Sequence, residues 1–181
     1  MGFTRLDEAS AADWAQISMA HMQHFSVAAP LRIMDQLHSL GELQLGFSCD
    51  QLQHSLMTAT LARRDGADDE LVVAALCHDL GKTISVPNHA AIGAEMLKPY
   101  VRSETYHAVL HHQEFQGHYY YNHFGWPTNL RERYRDTNWF AIAEQLVDRW
   151  DMPAFDPDFT VDPLETFEPE VVRIFSQPAQ L

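Results

Sequence analysis

Cysteine is nearly absent: Cys49 and Cys77 are the two in 181 residues. They form no CxxC pair, which excludes a disulfide-stapled secreted scaffold and a thiolate metal cluster; both are expected to be reduced and structural, inside helices. Basic residues are scarce as well, with 12 Lys and Arg against 25 Asp and Glu and a formal net charge of -13. Such a surface repels nucleic acid and anionic membrane, and no Lys/Arg cluster reverses it locally, so a small-molecule substrate is the partner class that fits. No stretch approaches the roughly 18 to 20 apolar residues of a membrane span. The opening residues, with Asp7 and Glu8, lack the basic-then-apolar order of a secretory leader, and a cytoplasmic location is the expectation. Sustained period-two alternation is missing too, so the expected fold class is all-α. With no repeat, low-complexity tract or Gly/Ser linker, residues 1–181 read as a single domain.

What is present is helical periodicity bracketed by caps and stops. Ser10 with Asp13 forms a capping box ahead of Trp14, Ile17 and Met22, and a second helix runs from Pro30 to Leu40, ending at Gly41. The central pair spans Cys49 to Asp65, capped by Ser48, and Asp69 to Leu80, stopped by Gly81. Asn88 caps a helix through Leu97, and Ser103 one through Phe115. Thr128 opens a short helix with Arg131, Arg133 and Arg135; Asn138 opens one from Trp139 to Asp151; and Pro169 fits the first turn of a last helix ending at Phe175. The intervening Gly117 to Pro127 and Met152 to Phe167 read as long loops, which usually carry function or cover a site.

Histidine is in surplus, at 11 residues. Adjacent His78 and Asp79 follow the apolar run Val72 to Leu76, and neighbours on a helix point about 100° apart, so both approach one ion only where the helix is ending. His54 lies between Leu52, Leu56 and Ala59 on a face that should be buried. There it takes either a backbone carbonyl or a metal shared with a neighbouring helix as partner.

In QLQHSL around His54, AALCHDLGK around His78-Asp79 and LVDRWD around Asp148 and Asp151, the chain resembles the HD superfamily, whose pattern is H, then HD, then D on separate helices. The resemblance covers about residues 42–175 and leaves residues 1–40 as an N-terminal helical extension serving as lid, dimer contact or added core in a monomer or homodimer. His89 and the His111-His112 pair raise the donor set beyond what one octahedral ion uses, which points to two metals. By resemblance to dinuclear HD proteins, Asp79 bridges the ions, with His54, His78 and Asp151 on one and His89 and His112 on the other. His111 competes with His112, and Asp148 with Asp151, because each pair lies close on one helix.

The HDLGK stretch resembles that of inositol oxygenase, which implies that Lys82 holds an anionic or hydroxylated substrate beside the metals, with Asp79 at the chemistry. The aromatic FQGHYYYNHFGW segment makes Phe115, Tyr120 and Tyr121, with His111 and His118, the expected pocket wall, suited to an apolar or quaternary ammonium group. His123 shares that segment and is the more ordinary exposed histidine; His21, His24, His38 and His107 fall outside the pattern. The QLQHS and RWDMPAFDPDF segments resemble the phosphonate-cleaving HD oxygenases, implying two irons (Fe2+/Fe3+) and O2 as co-substrate for C-P or C-C bond cleavage. Gln44 to Phe47 lacks the tyrosine and glutamate those enzymes carry there, which leaves the substrate open. The alternatives are phosphohydrolysis with Mn2+, Mg2+ or Ni2+ at the same site, and last, because all six ligand positions are filled, a non-enzymatic ligand-binding protein.

Overall fold

A computed structural model of the chain describes residues 2–177, positions 25 and 26 by backbone alone. Among these residues the protein is all-α, with no strand. The α-helices are α1 (Ala11–Leu40), α2 (Gln51–Arg64), α3 (Asp69–Cys77), α4 (His89–Leu97), α5 (Ser103–Tyr120), α6 (Phe140–Glu144) and α7 (Glu168–Phe175). A π-helix, Gln145–Asp151, continues α6 directly.

The middle of the fold is α3, whose Val72 to Cys77 are all buried, as expected of a helix that is apolar around its circumference. Helices α2, α5 and α7 and the π-helix pack around it. Phe115, Trp150, Phe167 and Phe175 fill the same core. Ile33, Leu37 and Leu40 from the last turns of α1 belong to it too, whereas Trp14, Met19 and Met22 nearer its start are exposed. The predicted capping box is present: Ser10 accepts from the Asp13 N–H, and Asp13 accepts from the Ser10 N–H.

Several boundaries differ from the sequence reading, each for a local reason. The two N-terminal helices are one, since Pro30 removes only a single intrahelical donor and the helix continues through it. Asp50, not Ser48, caps α2 by accepting from the Gln53 N–H at 2.8 Å. The Ser48 hydroxyl donates instead to the Phe155 carbonyl at 2.5 Å, and Cys49 lies before the helix. Helix α3 stops at Cys77, ahead of the glycine expected to stop it. Helix α5 runs on to Tyr120, so the first part of the expected aromatic loop is helical. The charged helix after Thr128 is a 3-10 turn, Leu130–Tyr134.

Gly81 and Gly93 act through close approach. A Cβ on Gly81 would stand 2.1 Å from the His89 carbonyl oxygen, and one on Gly93 2.8 Å from that of His78. Only glycine lets α4 sit this near the end of α3. That contact brings His89 up to the His78-Asp79 pair.

Candidate metal centre

Six of the predicted side chains converge inside the bundle: His54, His78, Asp79, His89, His112 and Asp151 are at most 4% exposed. His54 comes from α2, His78 and Asp79 from the end of α3, His89 from the first position of α4, His112 from α5 and Asp151 from the end of the π-helix. Asp79 has left helical geometry, at φ -99 and ψ 2, and this turn lets two consecutive residues face one centre.

Every one of the four imidazoles has its Nδ1 engaged by a backbone carbonyl. His78, His89 and His112 reach the carbonyl three residues back, of Ala75, Val86 and Val109, at 2.8, 2.7 and 2.7 Å. His54 reaches that of Ala154 at 2.9 Å, and its ring stacks on Phe155 with centroids 4.5 Å apart. A carbonyl only accepts, so each Nδ1 carries a proton, and each ring turns its Nε2 inward.

The four Nε2 atoms face one another and the carboxylates. Nε2 of His54 is 3.3 Å from that of His78, and Nε2 of His89 is 3.2 Å from that of His112. Oδ2 of Asp79 lies 3.5 and 3.4 Å from His54 and His78, while its Oδ1 lies 3.1 and 3.6 Å from His89 and His112. Oδ1 of Asp151 is 3.2 Å from His54 and 3.7 Å from His78. Oδ1 of Asp79 and Oδ1 of Asp151 are buried without a hydrogen-bond partner. Two buried carboxylate oxygens without donors, set against a cluster of imidazole nitrogens, are costly unless a cation occupies the centre.

The donor set fits such a cation. Atoms bound about 2.1 Å from one ion stand roughly 3 to 3.5 Å apart, and the separations here, 3.1 to 3.7 Å, are close to that. Ligand atoms of His54, His78 and Asp151, and of His78, Asp79 and His112, lie within 4.8 Å of one another, and either group could hold a metal ion. Asp79 turns one oxygen to each side, the disposition of a bridging carboxylate.

Charge in the centre is polarised accordingly. Burial alone would raise the Asp79 carboxyl, but the adjacent His78, the contacts with His112 and His89, and the Lys82 ammonium hold it well below its usual range. Asp151 is held down to about 2 against its own burial, by His78 and His54. Burial drops His78 to about 4, so its ring is neutral and free to donate an electron pair. In His54 burial opposes the charged form, yet contact with Asp151 and the nearby Asp79 outweighs it and raises the ring.

Above the centre lies a cavity of about 520 Å³, lined by Phe47, Lys82, Gln116, Tyr120, Phe124 and Phe155 among others, with His54 at its floor. Lys82 donates to Asp79 Oδ2 at 2.5 Å and to Gln51 Oε1 at 2.6 Å. Tyr119, His123 and Met152 complete the wall.

The paired alternatives separate cleanly. His112 faces the centre, while His111, one residue and a hundred-degree step away, bonds Glu114 and stacks on Trp139. Asp151 faces inward and Asp148 pairs with Arg131 at 2.9 Å. The wider turn of the π-helix puts residues three apart on different faces, which α-helical spacing did not anticipate.

Four expected wall residues are not on the wall. Phe115 is fully buried in the core, His111 points to Trp139, His118 is exposed with Nδ1 near the Thr128 carbonyl, and Tyr121 packs on Gly117 and Trp126. His111, Phe115 and His118 are carried by α5 without lining the cavity, and Tyr121 opens the 3-10 turn that follows it. Lys82 and Tyr120 do line it. The sequence reading missed Phe47, Gln51, Gln116 and Phe155. Gln51 and Gln116 stand at helical spacing from His54 and His112, a signal that was available; Phe47 and Phe155 sit in loops that periodicity does not address.

A family model described as HD domain matches residues 52–152, more than half of the chain and a stretch containing all six inward side chains. A comparison with curated proteins finds no match. The chain belongs to the HD-domain family.

Proposed function

From HD-domain membership as the premise, we propose that the protein is a dinuclear metal enzyme acting on a small molecule, and that it is a mixed-valence diiron oxygenase cleaving a C-P or C-C bond. The observation that carries the two-metal reading is the set of four inward Nε2 atoms divided by Asp79 into two groups. Imidazole-rich ligation of this kind suits iron, which when bound supplies oxidative bond cleavage with O2 as the oxidant.

The chain's own residues do the positioning. Lys82, anchored between Asp79 and Gln51, presents the one lysine or arginine cation on the cavity wall among the described residues, placed to hold an anionic or hydroxylated group beside the centre. Phe47, Phe124, Phe155 and Tyr120 surround the remaining space and favour an alkyl or quaternary ammonium group over a strongly hydrated one. Burial and the adjacent Tyr121 push the Tyr120 phenol up to about 12, so it stays a neutral hydrogen-bond donor at neutral pH.

Phosphohydrolysis with Mn2+, Mg2+ or Ni2+ is the second reading, favoured by family membership, because HD proteins are typically metal-dependent hydrolases. Metal analysis of protein purified without added metal separates the two. About two irons per chain with a paramagnetic mixed-valence signal on partial reduction is the expected result. Other divalent metals with phosphatase turnover would overturn the oxygenase reading.

A further inference from the structure

Asp151 is held from two sides. Its Oδ1 faces the Nε2 atoms of His54 and His78 and has no hydrogen-bond partner, whereas its Oδ2 accepts from Gln116 Nε2 at 2.6 Å. Gln116 follows His112 by four residues, so one face of α5 carries both an inward imidazole and the amide that grips the carboxylate from the π-helix. The same glutamine lines the cavity.

We propose that Gln116 is a positioning residue for the metal centre: by occupying Oδ2 it turns Asp151 to offer Oδ1 alone, and it links that carboxylate to the occupant of the cavity. A carboxylate in an otherwise acceptor-rich interior would rotate, or offer both oxygens to one ion, unless a donor claims one of them. Gln116 is that donor. The same residue lines the cavity, so a ligand there meets the side chain that sets Asp151.

The inference rests on the two-metal reading, and its test distinguishes the two. The full chain, stripped of metal by a chelator, is titrated with Co2+ and followed by visible absorption, beside Gln116→Met, which keeps the volume and removes the donor. Wild type takes up about two ions. Gln116→Met weakens one of them by about 10 to 100-fold with a changed absorption band and leaves the other as in wild type. Gln116→Glu, which sets a second carboxylate against Asp151, loses that ion more completely.

Equal weakening of both ions would mark a general structural defect and overturn the proposal. So would a Gln116→Met titration identical to wild type, with the two-metal reading left standing. Uptake of one ion or none by wild type would overturn both.

Discussion

Helix α5 carries His107, His111 and His112 and treats them in two ways. On its inner face, His112 gives its Nδ1 proton to the Val109 carbonyl and turns Nε2 toward His89 and Asp79. On its outer face, His107 and His111 lie nearly parallel to each other and to Trp139, at centroid distances of 6.1, 5.4 and 5.1 Å. His111 gives its Nδ1 to the Glu114 carboxylate. The inner ring sits among acceptors and the outer rings pack as aromatics. What separates a candidate ligand from a packed ring is therefore the nitrogen that the local backbone claims and the chemistry that the other nitrogen meets.

The largest break of this contrast is Asp79→Ala, which removes the carboxylate shared by both groups. It is expected to lower bound metal from about two ions per chain to none and activity to background, read by elemental analysis and turnover. Retention of both ions would remove Asp79 from the bridge. Next is His89→Ala, expected to lose one ion and all activity; activity surviving that change would mean that one metal suffices.

Phe115→Ala acts on the core beside Trp139, against which His107 and His111 stack. It should cost about 3 to 5 kcal/mol in denaturant unfolding while the folded chain keeps its metal content. Loss of metal from folded Phe115→Ala would place that ring at the site after all. His107→Ala is the smallest change, expected within about 1 kcal/mol of wild type and with unchanged metal, since its half-buried ring contributes stacking alone.

The inward cluster was expected from residue type taken together with the resemblance to HD proteins. Spacing put His78-Asp79 at a helix end and left His54 open between a carbonyl and a metal, and the H, HD, D order of the resemblance added the rest. All-α class followed from the missing alternation, and the Ser10-Asp13 capping box from local hydrogen-bonding chemistry. Choices that depend on rotation about a helix were harder to read. The π-helix put Asp151 and Asp148 on different faces, and α5 ran five residues beyond Phe115, which made helical what had read as the start of a loop. Those outcomes depend on tertiary packing, which overrides the local preference to stop a helix at the glycine-rich aromatic stretch. The cavity's far side, Phe47 and Phe155, comes from loops brought together by the Ser48 hydroxyl bond and by stacking of the two rings at 5.1 Å, contacts 107 and 108 residues apart in sequence.

The most direct test compares neighbours on one helix: the metal content of His111→Ala beside His112→Ala, both purified without added metal. The two differ by one position, so a general effect on α5 falls on both. The inward-facing assignment predicts about two ions per chain in His111→Ala and about one in His112→Ala. Equal metal in the two variants, or the reverse order, would contradict it.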